Sequence, residues 1–435
     1  MMTEQGKPKE MWQMAVTAVV GAQWGDEGKG KMVDYLAEQA DLVIRYQGGA
    51  NAGHTIVNAL GTFKFRLIPS GICYPGVKCL LGPGVAVDPA TVLEEMANLE
   101  KAGVATENLL IAERATLVMP WHPLMDRLEE ESRGARKIGT TLRGVGPAFT
   151  DKAGRRGLQV GDMLEKAWLA DKVNWALEAV NPKLTKIYGH PALDAEPIIE
   201  QYWAFGQKLK AQIVDSLAVV RAALAGERRI LLEGQLGVLR DPDWGTYPFV
   251  TSSSPLAGSA AAGAGVPPWA ITRVMGVAKA YTTAVGEGPF PSEQLGEVGE
   301  YLRTKGAEFG VVTGRPRRCG WFDAVATRFA VEVSGVTALA LTKMDVLDGL
   351  PELQICTGYR VDGQVLNTVP PLRTLSKVEP VFEKIAGWSG STLGARSVAE
   401  LPAEAKRYIR RIEELVGVPV AIVSVGPERT ETFTA

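Results

Sequence analysis

The sequence predicts an α/β fold: a single large domain built on a mainly parallel central β-sheet flanked by helices, with helical and loop insertions. Three observations lead there. The first is a βαβ unit: the apolar run VTAVVGA at 16–22, the glycine-rich turn GDEGKGK at 25–31, a helical pattern with Met32, Val33, Leu36 and Ala37 on one face, and the run LVIRY at 42–46. Two strands joined through a helix lie parallel. The second is a set of further short apolar runs, LLIA at 109–112, RILLEG at 229–234, ALALTKMD at 338–345 and VAIVSVG at 420–426, most with polar or glycine ends. Such runs suit a sheet covered on both faces. The third is the helical patterning between them, at 90–102, 162–181, 196–226 and 402–416.

The bulk properties narrow the classes. A chain of 435 residues makes one large domain or two to three smaller ones. No internal repeat or low-complexity linker divides it, so residues 15–435 are taken as one domain. Residues 1–14 carry both charge signs and no signal-peptide core, and are expected to form a flexible N-terminal extension. A formal net charge of −2 excludes a broad polyanion-binding surface, and with it a nucleic-acid partner. No apolar run reaches the roughly 18 residues of a membrane span. The four cysteines, Cys73, Cys79, Cys319 and Cys356, match no zinc spacing and are expected to be reduced thiols of a cytoplasmic protein. Three histidines make a histidine-rich metal site improbable. The small-residue stretch SPLAGSAAAGAG at 254–265 is either flexible or tightly packed.

The turn at 25–31 carries the first chemistry. Gly25, Gly28 and Gly30 let backbone amides approach phosphate oxygens, and the helix that follows points its positive end there. Lys29 and Lys31 add charge. The spacing is not that of a Walker A loop, and Gly30 stands where Ser or Thr would hold magnesium. Asp26 and Glu27 are therefore notable. A carboxylate inside a phosphate cradle costs electrostatic energy unless it binds a metal or accepts a proton.

Other segments follow strand ends, where ligands gather in open parallel sheets. GGANAGHT at 48–55 offers amides, the Asn51 side chain and His54, a candidate for acid–base work. LTKMD at 341–345 places Asp345 to accept both the N1–H and the exocyclic amine of guanine, a donor pair that adenine lacks. The stem of Lys343 can lie along the base. SVGPE at 424–428 can complete that pocket through Ser424 and the backbone at Gly426 and Pro427. GVVTGRPRRCGW at 310–321 clusters Arg315, Arg317 and Arg318, suited to carboxylates or phosphates. GTTLRGVGPAFTDKAGRRG at 139–157 adds Thr140, Thr141, Arg143, Arg155 and Arg156, and GTYPFVTSSS at 245–254 adds Thr251, Ser252 and Ser253. Loops this long and polar are more often functional than accidental.

Together QWGDEGKGK, YQGGANAGHT, GVGPAFTDKAGRRG, DWGTYPFVTSS, AVGEGPFPSE, TGRPRRCGW, LTKMDVLDGL and VGVPVAIVSVGPERTET resemble the adenylosuccinate synthetases in order and spacing, from about residue 16 to 433. The resemblance implies a P-loop-NTPase-like α/β fold and a GTP-dependent, magnesium-dependent ligase that joins L-aspartate to IMP through a 6-phosphoryl intermediate. It implies that Asp26 is the catalytic base and a magnesium ligand, with the backbone of Gly53 as a second ligand. His54 would be the acid assisting phosphoryl transfer, and Lys29 would contact the phosphates. Asn51, Thr141, Gln235, Thr251, the backbone of Val285 and Arg315 would surround IMP. Arg155 would reach the IMP of a neighbouring subunit in a homodimer. Thr313, Arg315 and Arg317 would hold aspartate. Gly25, Glu27, Gly28, Lys29, Gly30, Thr55, Lys343, Asp345, Ser424 and Gly426 would bind GTP.

Three departures from the family pattern touch the site. The family usually reads EGAQG where this chain has Glu233-Gly234-Gln235-Leu236-Gly237, so the expected glutamine is either displaced to Gln235, restorable by a local bulge, or replaced by Leu236. Val312 replaces the first of two threonines in the aspartate loop, and Ala284 stands where an arginine is common. Two alternatives follow: the same activation chemistry on another purine nucleotide, such as GMP or dGMP, or on another amine; and a non-catalytic GTP-binding regulatory protein. Pure binding needs no Asp26–His54 pair, which disfavours the latter.

Overall fold

The computed structural model describes residues 16–58, 60–310 and 314–435. Strand β1, Val16–Gly21, is buried along its whole length, as a central strand must be. Ala18 and Val20 point into one hydrophobic cluster and Val19 into the other, so the sheet has a core on each face. This is why the strands read as continuous apolar runs and not as alternating ones.

Nine further strands complete the sheet: β2 Leu42–Arg45, β3 Lys78–Leu81, β4 Leu109–Ala112, β5 Ile213–Val214, β6 Ile230–Gly237, β7 Ile271–Lys279, β8 Ala338–Thr342, β9 Val420–Ser424 and β10 Thr432–Thr434. Their order is β10-β9-β8-β7-β1-β6-β2-β3-β4-β5. Every pairing is parallel except β9 with β10. The α/β expectation therefore holds, and the loops leaving β1, β2, β6, β7, β8 and β9 open at one edge. A smaller sheet of Phe322–Asp323, Glu352–Val361, Gln364–Leu366 and Glu379–Ala386 lies outside the central one.

Several boundaries differ from the sequence expectation for local reasons. The pattern at 196–226 is two helices, Ala195–Leu209 and Ser216–Ala225, separated by edge strand β5. Asp194 and Asp215 cap them by accepting from the backbone N–H groups of Glu196 and Leu217. The pattern at 162–181 becomes the helix Lys166–Lys186. Strand β8 stops at Thr342 because Lys343 takes a left-handed conformation, φ 63°. The small-residue stretch is tightly packed: it contains the helix Ala257–Ala264, and a Cβ on Gly263 would lie 2.1 Å from the Tyr46 carbonyl oxygen. All four cysteines are buried free thiols. No helix among the described residues is long and apolar enough to cross a membrane.

Candidate active site

The turn between β1 and the helix Lys29–Ala37 is shaped by positive φ at Gly25 (109°), Asp26 (59°) and Gly28 (92°). Gly28 caps that helix without a side-chain bond, so the first-turn N–H groups face the cleft. Glu27 does not face it. Its buried carboxylate accepts from the N–H of Gln23 at 3.1 Å, from that of Gly25 at 2.8 Å and from Lys29 Nζ at 2.6 Å. The Glu27 side chain thus braces the turn from behind and lines neither chamber of the cleft. Asp26 is held out on the cleft side by the left-handed backbone.

His54 packs over Gly30, where an added Cβ would lie 2.8 Å from His54 Cδ2. Its Nε2 is buried, has no hydrogen-bond partner among the described residues, and lies 3.8 Å from Glu233 Oε1. Burial, then the nearby charges of Arg45 and Lys29, push the imidazole pKa down to about 3. In these surroundings the imidazole is uncharged at neutral pH.

The GQLG departure resolves as a bulge. Across β1 and β6, Val19 pairs with Glu233, yet Gly21 pairs with Gly237. Leu236 enters the left-handed region, φ 61°, and its side chain reaches the cleft. Gln235 turns the other way: its Oε1 accepts from Gly49 N at 3.0 Å, and its Nε2 donates to the carbonyls of Gly49 and Ala52 at 3.1 and 3.2 Å. Gln235 therefore sets the 48–53 loop and does not line the purine side of the cleft, because the bulge gives the pocket position to Leu236.

The cleft has two chambers. One is lined by Asn51, Thr141, Thr251, Val285, Arg315 and Arg240 among others; the other by Gly28, Lys29, Gly30, His54, Thr55, Lys343, Ser424 and Gly426. Asp26, Ala52, Gly53, Leu236 and Arg317 belong to both. In the second chamber Lys31 Nζ donates to Ser424 Oγ at 2.6 Å and to Gly426 O at 2.5 Å, while burial lowers its pKa to about 8. Lys343 donates to Gly306 O at 2.8 Å. Asp345 lines neither chamber; its Oδ1 is buried with no partner among the described residues, and burial raises that carboxyl's pKa. Asn51 Oδ1 is similarly unpartnered. Gly25 lies behind the turn and lines neither chamber. Arg155 is exposed, at φ 60°, and also lines neither. Thr313 and Val312 fall outside the described residues, as does the extension at 1–14.

Arg317 joins the chambers electrostatically. Its Nε is 3.0 Å from Asp26 Oδ2, and its Nη1 donates to Glu308 Oε2 at 2.7 Å. Glu308 also accepts from Lys279 Nζ at 2.7 Å and from the Tyr281 hydroxyl. Lys279 and the neighbouring Arg317 pull the buried Glu308 carboxyl down to about 2. On the other side, Asp126 accepts from Thr140 Oγ1 at 2.8 Å and Gly144 N at 3.0 Å, and Glu130 accepts from Gly139 N at 2.9 Å, so the loop bearing Thr141 is pinned. Sequence reasoning missed Glu308, Lys279, Arg240, Asp126 and Glu130. Lys279 and Arg240 carried one readable signal, a charge inside or just after an apolar strand; Asp126 and Glu130 sit on a helix that looks amphipathic and ordinary.

The adenylosuccinate synthetase family model matches residues 18–433. Adenylosuccinate synthetase of Moorella thermoacetica is 54% identical over 421 residues, 97% of this chain and 99% of that one. The Thermosynechococcus vestitus enzyme of the same name is 53% identical, covering 97% and 94%. The fully ligated adenylosuccinate synthetase from Plasmodium falciparum superposes with a TM-score of 0.91 at 34% identity, covering 97% and 99%. A cyanophage S-2L succinoaminodeoxyadenylate synthetase bound to dGMP and dATP, TM-score 0.61 at 21% identity with 97% and 95% covered, shares the fold.

Proposed function

The chain belongs to the adenylosuccinate synthetase family, and from that premise we propose how its residues divide the work. The enzyme ligates L-aspartate to IMP with GTP, giving adenylosuccinate, GDP and phosphate. One observation carries the proposal: the two chambers meet at Asp26, Gly53, Leu236 and Arg317, where a purine oxygen from one side and a terminal phosphate from the other can come into line.

IMP occupies the chamber of Asn51, Thr141, Thr251, Val285 and Arg315. GTP occupies the other, its phosphates on the amides of 28–30 and the Lys29 side chain, its guanine against Lys343, Asp345, Ser424 and Gly426. The unpartnered Asp345 Oδ1 supports this, since guanine supplies the missing donors. Lys31, which now holds Ser424 and Gly426, yields that position to the nucleotide.

Asp26 removes the N1 proton of IMP, which places negative charge on O6. O6 attacks the γ-phosphorus of GTP, the bond to the β–γ bridging oxygen breaks, and GDP departs. Lys29 and the turn amides neutralise the charge in transit, and the neutral imidazole of His54 donates its free Nε2–H to a phosphate oxygen. The aspartate amine then attacks C6 and phosphate leaves with O6. Arg315, Arg317 and Thr313 hold the aspartate carboxylates.

Magnesium fits the donor set. No cluster of three metal-binding side chains exists among the described residues, but magnesium needs only one or two protein ligands plus phosphates and water. Asp26 and the Gly53 backbone, both at the junction, would hold it, and when bound it neutralises phosphate charge. In our reading Arg155, exposed and outside both chambers, enters a neighbouring subunit's site in a homodimer. The protein works in the cytoplasm. The test is phosphate release with each substrate omitted in turn: release must require IMP and aspartate together. Hydrolysis of GTP at the full rate without them would refute the assignment.

A further inference from the structure

Val285 and Gly286 form part of the wall of the first chamber, and two guanidiniums divide the four carbonyls of 285–288. Arg240 donates to the oxygens of Val285 and Glu287, and Arg318 to those of Gly286 and Gly288. Positive φ at Gly286 (79°) and Gly288 (103°) turns successive carbonyls to opposite sides, which makes the alternation possible. Arg240 also donates to Phe249 O at 2.6 Å, tying this wall to the segment that bears Thr251. The two arginines differ in compensation. Arg318 Nε is 2.8 Å from Glu293 Oε1. Arg240, only 9% exposed, meets carbonyl oxygens alone among the described residues. Burial and the like charge of Arg318 lower its pKa to about 10 against the opposing pull of the Asp26 carboxylate, so it remains a cation at neutral pH.

An aliphatic side chain would fill the same space without the cost of burying a charge that has no direct ion pair. What only a planar, many-donor cation does there is bridge carbonyls of two separate segments at once. It also places a positive charge in the chamber wall.

We infer that Arg240 is a positioning residue for the purine nucleotide, locking 249–251 and 285–287 into one wall and biasing the first chamber toward an anionic occupant. This rests on the reading that the first chamber holds IMP.

The test compares the full-length enzyme with Arg240→Met, Arg240→Lys and Thr251→Val, measuring kcat, the KM for IMP, GTP and aspartate, and the thermal midpoint of each. Loss of two or three charge-assisted bonds raises the KM for IMP about tenfold in Arg240→Met. Arg240→Lys keeps the charge and the fold but not the fork, so it retains a raised KM for IMP. The KM for GTP stays within about twofold in both, on the criterion that uniform changes signal general damage. An unchanged KM for IMP in Arg240→Lys and Arg240→Met, or an equal rise for all three substrates, overturns the role. If Thr251→Val raises the KM for IMP while the Arg240 variants do not, the Arg240 role alone falls. If none of the three changes it, the chamber assignment has failed with it.

Discussion

Glu308→Gln removes one charge and almost no volume from the centre of the network that holds Arg317. In the native protein Glu308 is fully buried and accepts from Lys279 at 2.7 Å, Arg317 at 2.7 Å and the Tyr281 hydroxyl. Those cations carry its pKa from the ordinary 4.5 to about 2. A depression of that size corresponds to about 3 kcal/mol of stability, with no solvent discount for a group this buried. It agrees with the roughly 3–5 kcal/mol lost when one partner of a buried ion pair is removed. The sign follows from the depressed native pKa: the contribution is complete above the unfolded value of 4.5 and is lost as pH falls toward 2. Urea unfolding followed by tryptophan fluorescence from pH 7 down to pH 3 is the assay. The variant should be about 3 kcal/mol less stable at pH 7, and the gap should shrink by about 1.4 kcal/mol per unit below pH 4.5. A gap under about 1 kcal/mol at pH 7, or one that stays constant to pH 3, would show that Glu308 is not held as an anion by those partners.

Three further outcomes are expected. Asp26→Asn abolishes turnover while GTP affinity by titration calorimetry changes little; a variant with normal residual turnover and lost GTP binding would contradict the base assignment. Asp345→Asn lowers the preference for GTP over ATP in kcat/KM by about a hundredfold, as expected when a buried acceptor pair is mismatched, and unchanged discrimination would remove Asp345 from the base pocket. His54 is held neutral with a pKa of about 3, so the unfolded chain binds the extra proton and stability falls below pH 6.5. His54→Asn should therefore lose about 2 kcal/mol less than the parent between pH 7 and pH 5, and identical pH profiles would show that His54 is not buried neutral.

How much of this was legible in the chain depended on the range of the interaction. The opening strand, turn and helix were readable because their signals are local: apolar run, alternating glycines, 3.6-residue periodicity. Asp26 and His54 were readable because each sits beside a strand in a polar, glycine-rich segment, and Asp345 because it follows an apolar strand in the segment LTKMD. The break in the pattern at 196–226 was signalled by Asp215, an N-cap inside an apparently continuous helix, and was overlooked because Ile213 and Val214 fit either period. The direction of Gln235 was not readable, because it depends on two extra residues in β6 opposite β1, a feature of pairing and not of either strand alone. Glu308 and Lys279 are 29 residues apart in sequence, and only the fold brings them together.

The roles proposed for Asp26 and Arg317 make the two halves of the reaction interdependent. Without ligands its guanidinium lies beside Asp26 on one edge and holds Glu308 on another, and its Nε lacks hydrogen-bond geometry to Asp26 despite the 3.0 Å separation. That contact is the weaker of the two, electrostatic and half-formed, and it stands at the mouth shared by both chambers. The Glu308 bond is the stronger, buried and backed by Lys279. On the proposed roles, an incoming amino-acid carboxylate would compete with Asp26 for Arg317, while Glu308 keeps the side chain in reach. Each carboxylate that Arg317 gripped would free the Asp26 oxygens for the purine proton, so occupancy of the amino-acid site and availability of the base would rise together.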